Sequence, residues 1–305
     1  MILLCIGSPC QDISIAGNQA GADENSGTSR SLMYETVRIV SKLKPKYVLW
    51  ENVKNLLSKK HKHNFDNYIE TMSIIGYNSY YKVLDAKDYG VPQHRERVYT
   101  VSIRKDIDNW DFVFPEPMEL KLRLKDVLED EVEEKYYLSE KMVNFFYKNE
   151  QIQKEKGNGF RFGVSDGNVV AKSVTTRAGS RMDDNFIKCV QVAQVYGTAR
   201  EPNPQAGRIY DSGGLSPTMD TCNGGNRMPK VLIDNYRIRK LTPKECWRLM
   251  GFDDEDFEKA ASVPTSNTQL YKQAGNSIVV NVLENILTDL FNTERKKTRR
   301  EFRLW

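Results

Sequence analysis

The sequence has little cysteine and less histidine. Its five cysteines, Cys5, Cys10, Cys189, Cys222 and Cys246, are odd in number and contain no Cys-x-x-Cys spacing. That excludes a disulfide framework and a structural zinc site as organising principles. Of the three histidines, His61 and His63 form only a weak metal signal in a charged stretch, and His94 stands alone. No apolar run approaches the roughly 20 residues a membrane-spanning helix needs. The apolar start, Met1 to Ile6, has no basic leader and reads as a buried strand, so a cytoplasmic location is expected. Neither charge sign dominates: 45 Lys and Arg against 41 Asp and Glu give +4. This mild excess is compatible with a polyanionic partner without requiring one. Part of it is the run Arg295 to Arg300, which reads as a solvated helix end.

What is present is a core-forming chain. Hydrophobic residues make up 39% of the 305, enough for one large domain or two modest ones. The first third alternates strand and helix. Ile2 to Ile6, Tyr47 to Trp50, Tyr77 to Leu84 and Val98 to Ile103 read as strands. Leu32, Thr36, Ile39, Val40 and Leu43 mark one helix face, ended by Pro45; Phe65, Ile69, Met72 and Ile75 mark another, closed by Gly76. This rhythm predicts an α/β domain over residues 1–120. Residues 121–235 are expected to hold linker helices and a Gly/Asn/Ser/Thr-rich lobe of short strands. Two stretches there, Arg161 to Ile187 and Arg208 to Val231, echo each other as a candidate hairpin repeat. Residues 236–305 return to the first domain. Thr242-Pro-Lys-Glu245 is a capping-box helix start, and Val279, Val282, Leu283, Ile286, Leu287 and Leu290 line a last helix.

Three groups of chemistry-bearing residues fall at strand ends. Ser8-Pro9-Cys10-Gln11 follows the first strand, Glu51-Asn52 the second, and Gln93-His-Arg95-Glu-Arg97 precedes another. The carboxyl edge of such a sheet is where open α/β folds bind ligands. A cysteine there is by itself more often packing than chemistry. A nucleophile, a carboxylate and two guanidiniums at one edge read as a site.

Five segments, GSPCQDISIAG, ENVKNLL, DYGVPQHRERVY, RKLTPKECWRLMGF and QAGNSIVVNVLENIL, resemble the successive motifs of the DNA (cytosine-5) methyltransferases, in that family's order. The resemblance spans nearly the whole chain outside its middle. It implies a Rossmann-like methyltransferase sheet with a smaller, β-rich target-recognition domain inserted. It also implies methyl transfer from S-adenosylmethionine to C5 of cytosine in duplex DNA, by an enzyme of restriction-modification or phage type. Cys10 would be the nucleophile and Glu51 the group at N3, with Arg97 and, less directly, Arg95 holding the O2 edge. The base would be flipped out, and residues 11–31 would close over it with Gly17, Gly21 and Gly27 giving freedom. Leu32, Asn276 and Ser277 would flank the methyl donor. Pro9, Gln11, Asn52, Gln93 and Arg239 would lie on the DNA side. In the lobe, Thr175 and Thr218, with Thr176, Arg177, Arg181 and Arg227, have the hydroxyls and guanidiniums that suit groove contacts; threonines that merely fill turns are the competing reading.

The chain also departs from that family. It contains no Phe-x-Gly-x-Gly turn at a strand end, and no ribose or adenine carboxylate can be placed. Gly157 to Gly163 resembles a cofactor loop only on paper, since it lies in the turn-rich lobe. An N-terminally truncated enzyme, half of a split enzyme completed by a second polypeptide, and a DNA-binding remnant therefore stay open as expectations. The related tRNA branch would carry a Cys-Phe-Thr tripeptide, which does not occur. A cysteine hydrolase using Cys10 and His94 would leave Glu51 and Arg97 without a purpose.

Overall fold

Apolar residues on both faces of Tyr47 to Trp50 require cover on both sides, and that requirement organises the first unit. The computed structural model describes residues 1–7, 32–159, 161–190, 209–211, 230–232 and 236–301. Its four-stranded sheet runs β1 (Leu3–Gly7), β2 (Tyr47–Val53), β5 (Glu96–Arg104), β3 (Tyr77–Asp85). All seven residues of β2 are buried, Glu51 and Asn52 included. Strands β1 and β2 are parallel, whereas β5 is antiparallel to both β2 and β3. This reversal brings the start of β5 to the edge where β2 ends.

One face of the sheet is covered by α1 (Leu32–Leu43) and α2 (Lys62–Ile74). Val48 and Trp50 of β2 pack with Val40, Phe65, Tyr68 and Met72 in one apolar cluster. Trp50 lies 4.2 Å from Tyr68 between ring centroids and stacks on Phe65. Each such large side chain contributes about 1.5–3 kcal/mol by leaving water. In α1, Thr36 and Val40 are buried, but Ile39 and Leu43 are 36% and 48% exposed, so the buried stripe is narrower than periodicity suggests. Helix α2 stops at Gly76, whose φ of 101° suits a residue without Cβ. On the other face, Tyr47 meets Phe291 of α7 (Val280–Glu301) edge-on. Val282, Ile286 and Leu290 form the buried stripe of that helix.

Before α7 come α4 (Pro243–Arg248), α5 (Asp254–Ala261) and α6 (Asn267–Asn276). Helix α4 starts with Pro, as its sequence predicts, and buries Cys246 and Trp247; the Trp247 indole donates to Leu270 O at 3.1 Å. The hydroxyl of Thr242 donates to Glu129. Among the described residues, no helix is long and apolar enough to cross a membrane.

The chain divides into two compact units. The first comprises Met1–Leu128, Asn168–Ala178 and Pro243–Trp305; the second comprises Glu129–Gly167 and Gly179–Thr242. Within the first unit, the two-residue strands β4 (Gln93–His94) and β7 (Ala171–Lys172) pair in parallel. The second unit holds α3 (Glu140–Glu155), capped by the Ser139 side chain accepting from Met142 N. It also holds β6 (Val164–Ser165), β8 (Phe186–Val190), β9 (Ile209–Asp211), β10 (Lys230–Leu232) and β11 (Tyr236–Lys240). Strand β8 lies between β6 and antiparallel β11, and β9 pairs with β10. Its core is Phe146, Phe162, Met182, Phe186 and Ile238.

Candidate active site

The site grows from two neighbouring strands. Glu51 stands opposite Tyr99 in the β2–β5 register, and Val53 opposite Arg97. Alternation along both strands puts Glu51, Tyr99 and Arg97 on one face. Arg97 reaches diagonally across, placing Nε 3.1 Å from Glu51 Oε1. Glu51 is only 9% exposed. Burial pushes its carboxyl pKa up, against the opposing pull of the Arg97 and Arg95 guanidiniums. A carboxyl shifted this way keeps its proton to higher pH than an ordinary one, the direction needed by a group that must donate to a ring nitrogen. Burial and the Glu51 charge likewise push the Tyr99 phenol up, keeping it neutral.

Gly7, the last residue of β1, pairs in register with Glu51. A Cβ on Gly7 would stand 4.0 Å from Glu51 Oε2 and 3.9 Å from Ile278 Cδ1. The strand that leads to Ser8-Pro9-Cys10-Gln11 therefore ends beside the carboxylate. Pro9, Cys10 and Gln11, the expected closing loop, and Thr218 lie outside the described residues. Leu32 opens α1.

Gln93 is fully buried. Its Nε2 donates to Leu249 O at 2.6 Å and its Oε1 accepts from Val174 N at 2.7 Å. Arg95, 5% exposed, donates through Nη1 to Ser173 Oγ and Val174 O, and through Nη2 to Gly275 O and Ser277 O, at 3.0–3.3 Å. The Asn52 side chain accepts from Val53 N at 2.8 Å. Asn276 ends α6, and Ser277 caps it with its hydroxyl on Ala274 O at 2.8 Å. The QAGNS segment thus forms the end of α6, and α7 begins three residues after Ser277. The small side chains there serve close packing: a Cβ on Gly275 would fall 2.4 Å from Thr176 N. Thr175 Oγ1 accepts from Arg177 N, forming its own local turn. Arg239 belongs to the second unit, on β11, and is buried.

Glu51, Arg97, Arg95, Gln93, Ser277 and Thr175 are thus all in the first unit; Glu51 pairs with Arg97, while Arg95 and Gln93 hold the segment before Thr175 and Arg95 also holds Ser277. Tyr99, Ile278 and the segment around Val174 were not singled out by the sequence reading. Tyr99 had a readable signal, two residues beyond Arg97 on a strand. The place of Val174 had none, because its partner is 81 residues away.

A family model of C-5 cytosine-specific DNA methylases matches residues 2–292. The chain belongs to that family, whose members take their methyl group from S-adenosylmethionine. It is 38% identical over 286 residues to the type II methyltransferase M2.ScrFI of Lactococcus lactis subsp. cremoris, covering 94% of this chain and 65% of that relative. It is 33% identical to the type II methyltransferase M.HhaI of Haemophilus parahaemolyticus, covering 93% of this chain and 74% of the relative. Against the orphan methyltransferase M.SPRI of Bacillus phage SPR, identity is 32%, with 95% and 82% covered. The match to M2.ScrFI thus spans just under two-thirds of that protein. In fold, the chain is similar to the Entamoeba histolytica methyltransferase EhMeth, with TM-score 0.63, 17% identity, and 95% and 77% of the two chains covered. It is also similar to the S. pombe Dnmt2 methyltransferase, with TM-score 0.59, 18% identity, and 94% and 77% covered.

Proposed function

We propose that this chain methylates C5 of cytosine in duplex DNA, with Cys10 as nucleophile, Glu51 as the group at N3 and Arg97 on the O2 edge. The observation that carries the reading is the raised carboxyl of Glu51, held 3.1 Å from Arg97 beside the strand end that precedes Cys10. Carbon 5 of cytosine is a poor nucleophile. Addition of the Cys10 thiolate at C6 puts electron density on the ring. Protonated Glu51 holds N3 and the Arg97 guanidinium holds O2 as that density develops. The ring is then an enamine nucleophilic at C5; once C5 is alkylated, loss of its proton regenerates the double bond and expels Cys10. The flipped base is needed because no residue reaches C6 inside a stacked duplex.

S-adenosylmethionine, when bound, supplies an electrophilic methyl group. The turn Ala274 to Ile278 suits the methyl end of that donor: apart from Asn276 its side chains are small or apolar, and Ile278 stands beside the end of β1. The same turn offers no carboxylate for a ribose, and the backbone of Thr176 already fills the space at Gly275. We infer that polypeptide outside these residues supplies the ribose and adenine contacts, which is where a second chain enters as a partner. Titration of the 305-residue chain with S-adenosylmethionine tests this. Each lost charged hydrogen bond weakens binding by about 1.5–3 kcal/mol, so affinity should be poorer than micromolar. Micromolar or tighter binding by this chain alone would overturn it. The methyltransferase reading itself is tested by Cys10→Ala in a protein with the donor contacts supplied, which should end methylation while leaving duplex binding in place, since phosphate contacts carry most affinity.

A further inference from the structure

Arg97 and Arg95 are two residues apart, yet their guanidiniums have different neighbours. Arg97 meets a carboxylate, whereas four acceptors of Arg95 among the described residues are three backbone carbonyls and one hydroxyl. Those acceptors belong to two segments distant in sequence, with one guanidinium nitrogen serving each. Nη1 holds Ser173 and Val174; Nη2 holds Gly275 and Ser277. The same two segments touch directly. A Cβ on Gly275 would lie 2.4 Å from Thr176 N and 2.6 Å from Thr175 C, so backbone meets backbone with no side chain between. Gln93 fastens the first segment a second time, because a carboxamide can accept from Val174 N while donating to Leu249 O. Pairing of β4 with β7 and the 2.8 Å bond from Ala171 N to Pro92 O complete the attachment. The chain enters and leaves this strap, Asn168–Ala178, from stretches of the second unit, but the strap itself belongs to the first.

We propose that Arg95 is a positioning residue that locks the strap Ser173–Thr176 to the turn Gly275–Ser277, so that one guanidinium sets the target-side and donor-side halves of the site in register. The proposal rests on the methyltransferase reading for the meaning of the two halves, and on geometry alone for the lock. A planar fork carries two terminal nitrogens in a fixed plane, so each can hold one segment, whereas an ammonium must share a single nitrogen between them. A lysine at this position keeps the charge but satisfies one side. Arg95 therefore does not touch the base; it holds Thr175 and Thr176 at a constant distance from the turn that faces the donor.

The test uses the full chain with Arg95→Gln and Arg95→Lys. Amide hydrogen exchange is followed across 173–177 and 275–278, with β2 and α2 as internal references. Arg95→Gln should speed exchange at least ten-fold in both segments and leave the references unchanged; Arg95→Lys should protect one segment and release the other. In methylation of unmethylated duplex DNA with tritiated S-adenosylmethionine, by protein expressed from the complete native locus so that the donor contacts are supplied, Arg95→Gln should raise the donor KM at least ten-fold, with a smaller drop in kcat. Unchanged exchange in both segments, or full protection of both by Lys, overturns the lock. If the wild-type protein, expressed from its complete native locus so that the donor contacts are supplied, transfers no methyl group while the exchange pattern is as stated, the methyltransferase reading fails and the lock stands.

Discussion

Glu51 and Arg97 meet diagonally across antiparallel strands: Oε1 and Nε are 3.1 Å apart although each residue's register partner is a different one, Tyr99 and Val53. The pair is nearly closed to water, and burial outweighs the arginines in raising the Glu51 pKa.

A stability prediction follows from that sign. Glu51 binds its proton more tightly in the folded chain, so its contribution is full below the unfolded value near 4.5 and is lost as pH rises through the higher folded value. Glu51→Gln, which cannot ionise yet still accepts from Arg97, should melt higher than wild type at pH 8. The gap should shrink toward zero by about pH 4. Its methylation rate should fall by roughly 10²–10⁴, the usual worth of a positioned proton donor. Melting curves across that pH range check the first part. A Gln variant that melts lower at pH 8 would contradict it.

The opposite sign holds at Asp254. Arg248 grips its carboxylate with two bonds of 2.7 Å, Lys244 adds a contact at 3.3 Å, and the carboxyl is held down at about 2. Its stabilisation is present above the unfolded value of 3.8 and is lost as pH falls through about 2. Because Asp254 is half exposed, Asp254→Asn should cost less than about 1 kcal/mol at pH 7. Arg248→Ala should cost more, about 1–3 kcal/mol, since the carbonyls of Val127 and Leu128 also lose their donor. Urea unfolding at pH 7 ranks the two; equal losses would contradict the assignment.

Gly275 and Gly159 make a matched pair. A methyl group at Gly275 collides with backbone at 2.4 Å, while one at Gly159 meets nothing within 4 Å. Gly275→Ala should destabilise the chain by about 1–3 kcal/mol. Gly159→Ala should stay within about 0.5 kcal/mol of wild type. A neutral Gly275→Ala would mean that the strap does not pack where it is described.

These positions also mark what the sequence makes legible. Strand β2 declares itself through apolar residues on both faces, Gly76 through the turn it must make, and Ser139 through its cap. The grouping of Glu51 with Arg97 is legible because both stand at strand ends in quoted motifs. The direction of β5 is not, since its continuous buried run, Val98 to Ile103, reads the same in either orientation. Nor is the work of Arg95, which sequence places near the base edge. Its acceptors are mostly backbone carbonyls, at Val174, Gly275 and Ser277, and a carbonyl leaves no mark on residue identity. The strap fails to announce itself for the same reason: β7 is two residues long and is held by partners about eighty residues earlier.

The central claim is that Cys10, acting with Glu51 and Arg97, makes this chain a cytosine-5 methyltransferase. Cells carrying the complete native locus can be compared with cells carrying it with Cys10→Ala, by base-resolution mapping of 5-methylcytosine. The account predicts modified cytosines within one recurring DNA sequence for the native locus and none for the variant. Unmodified DNA from the native locus, or modification that survives Cys10→Ala, would contradict it.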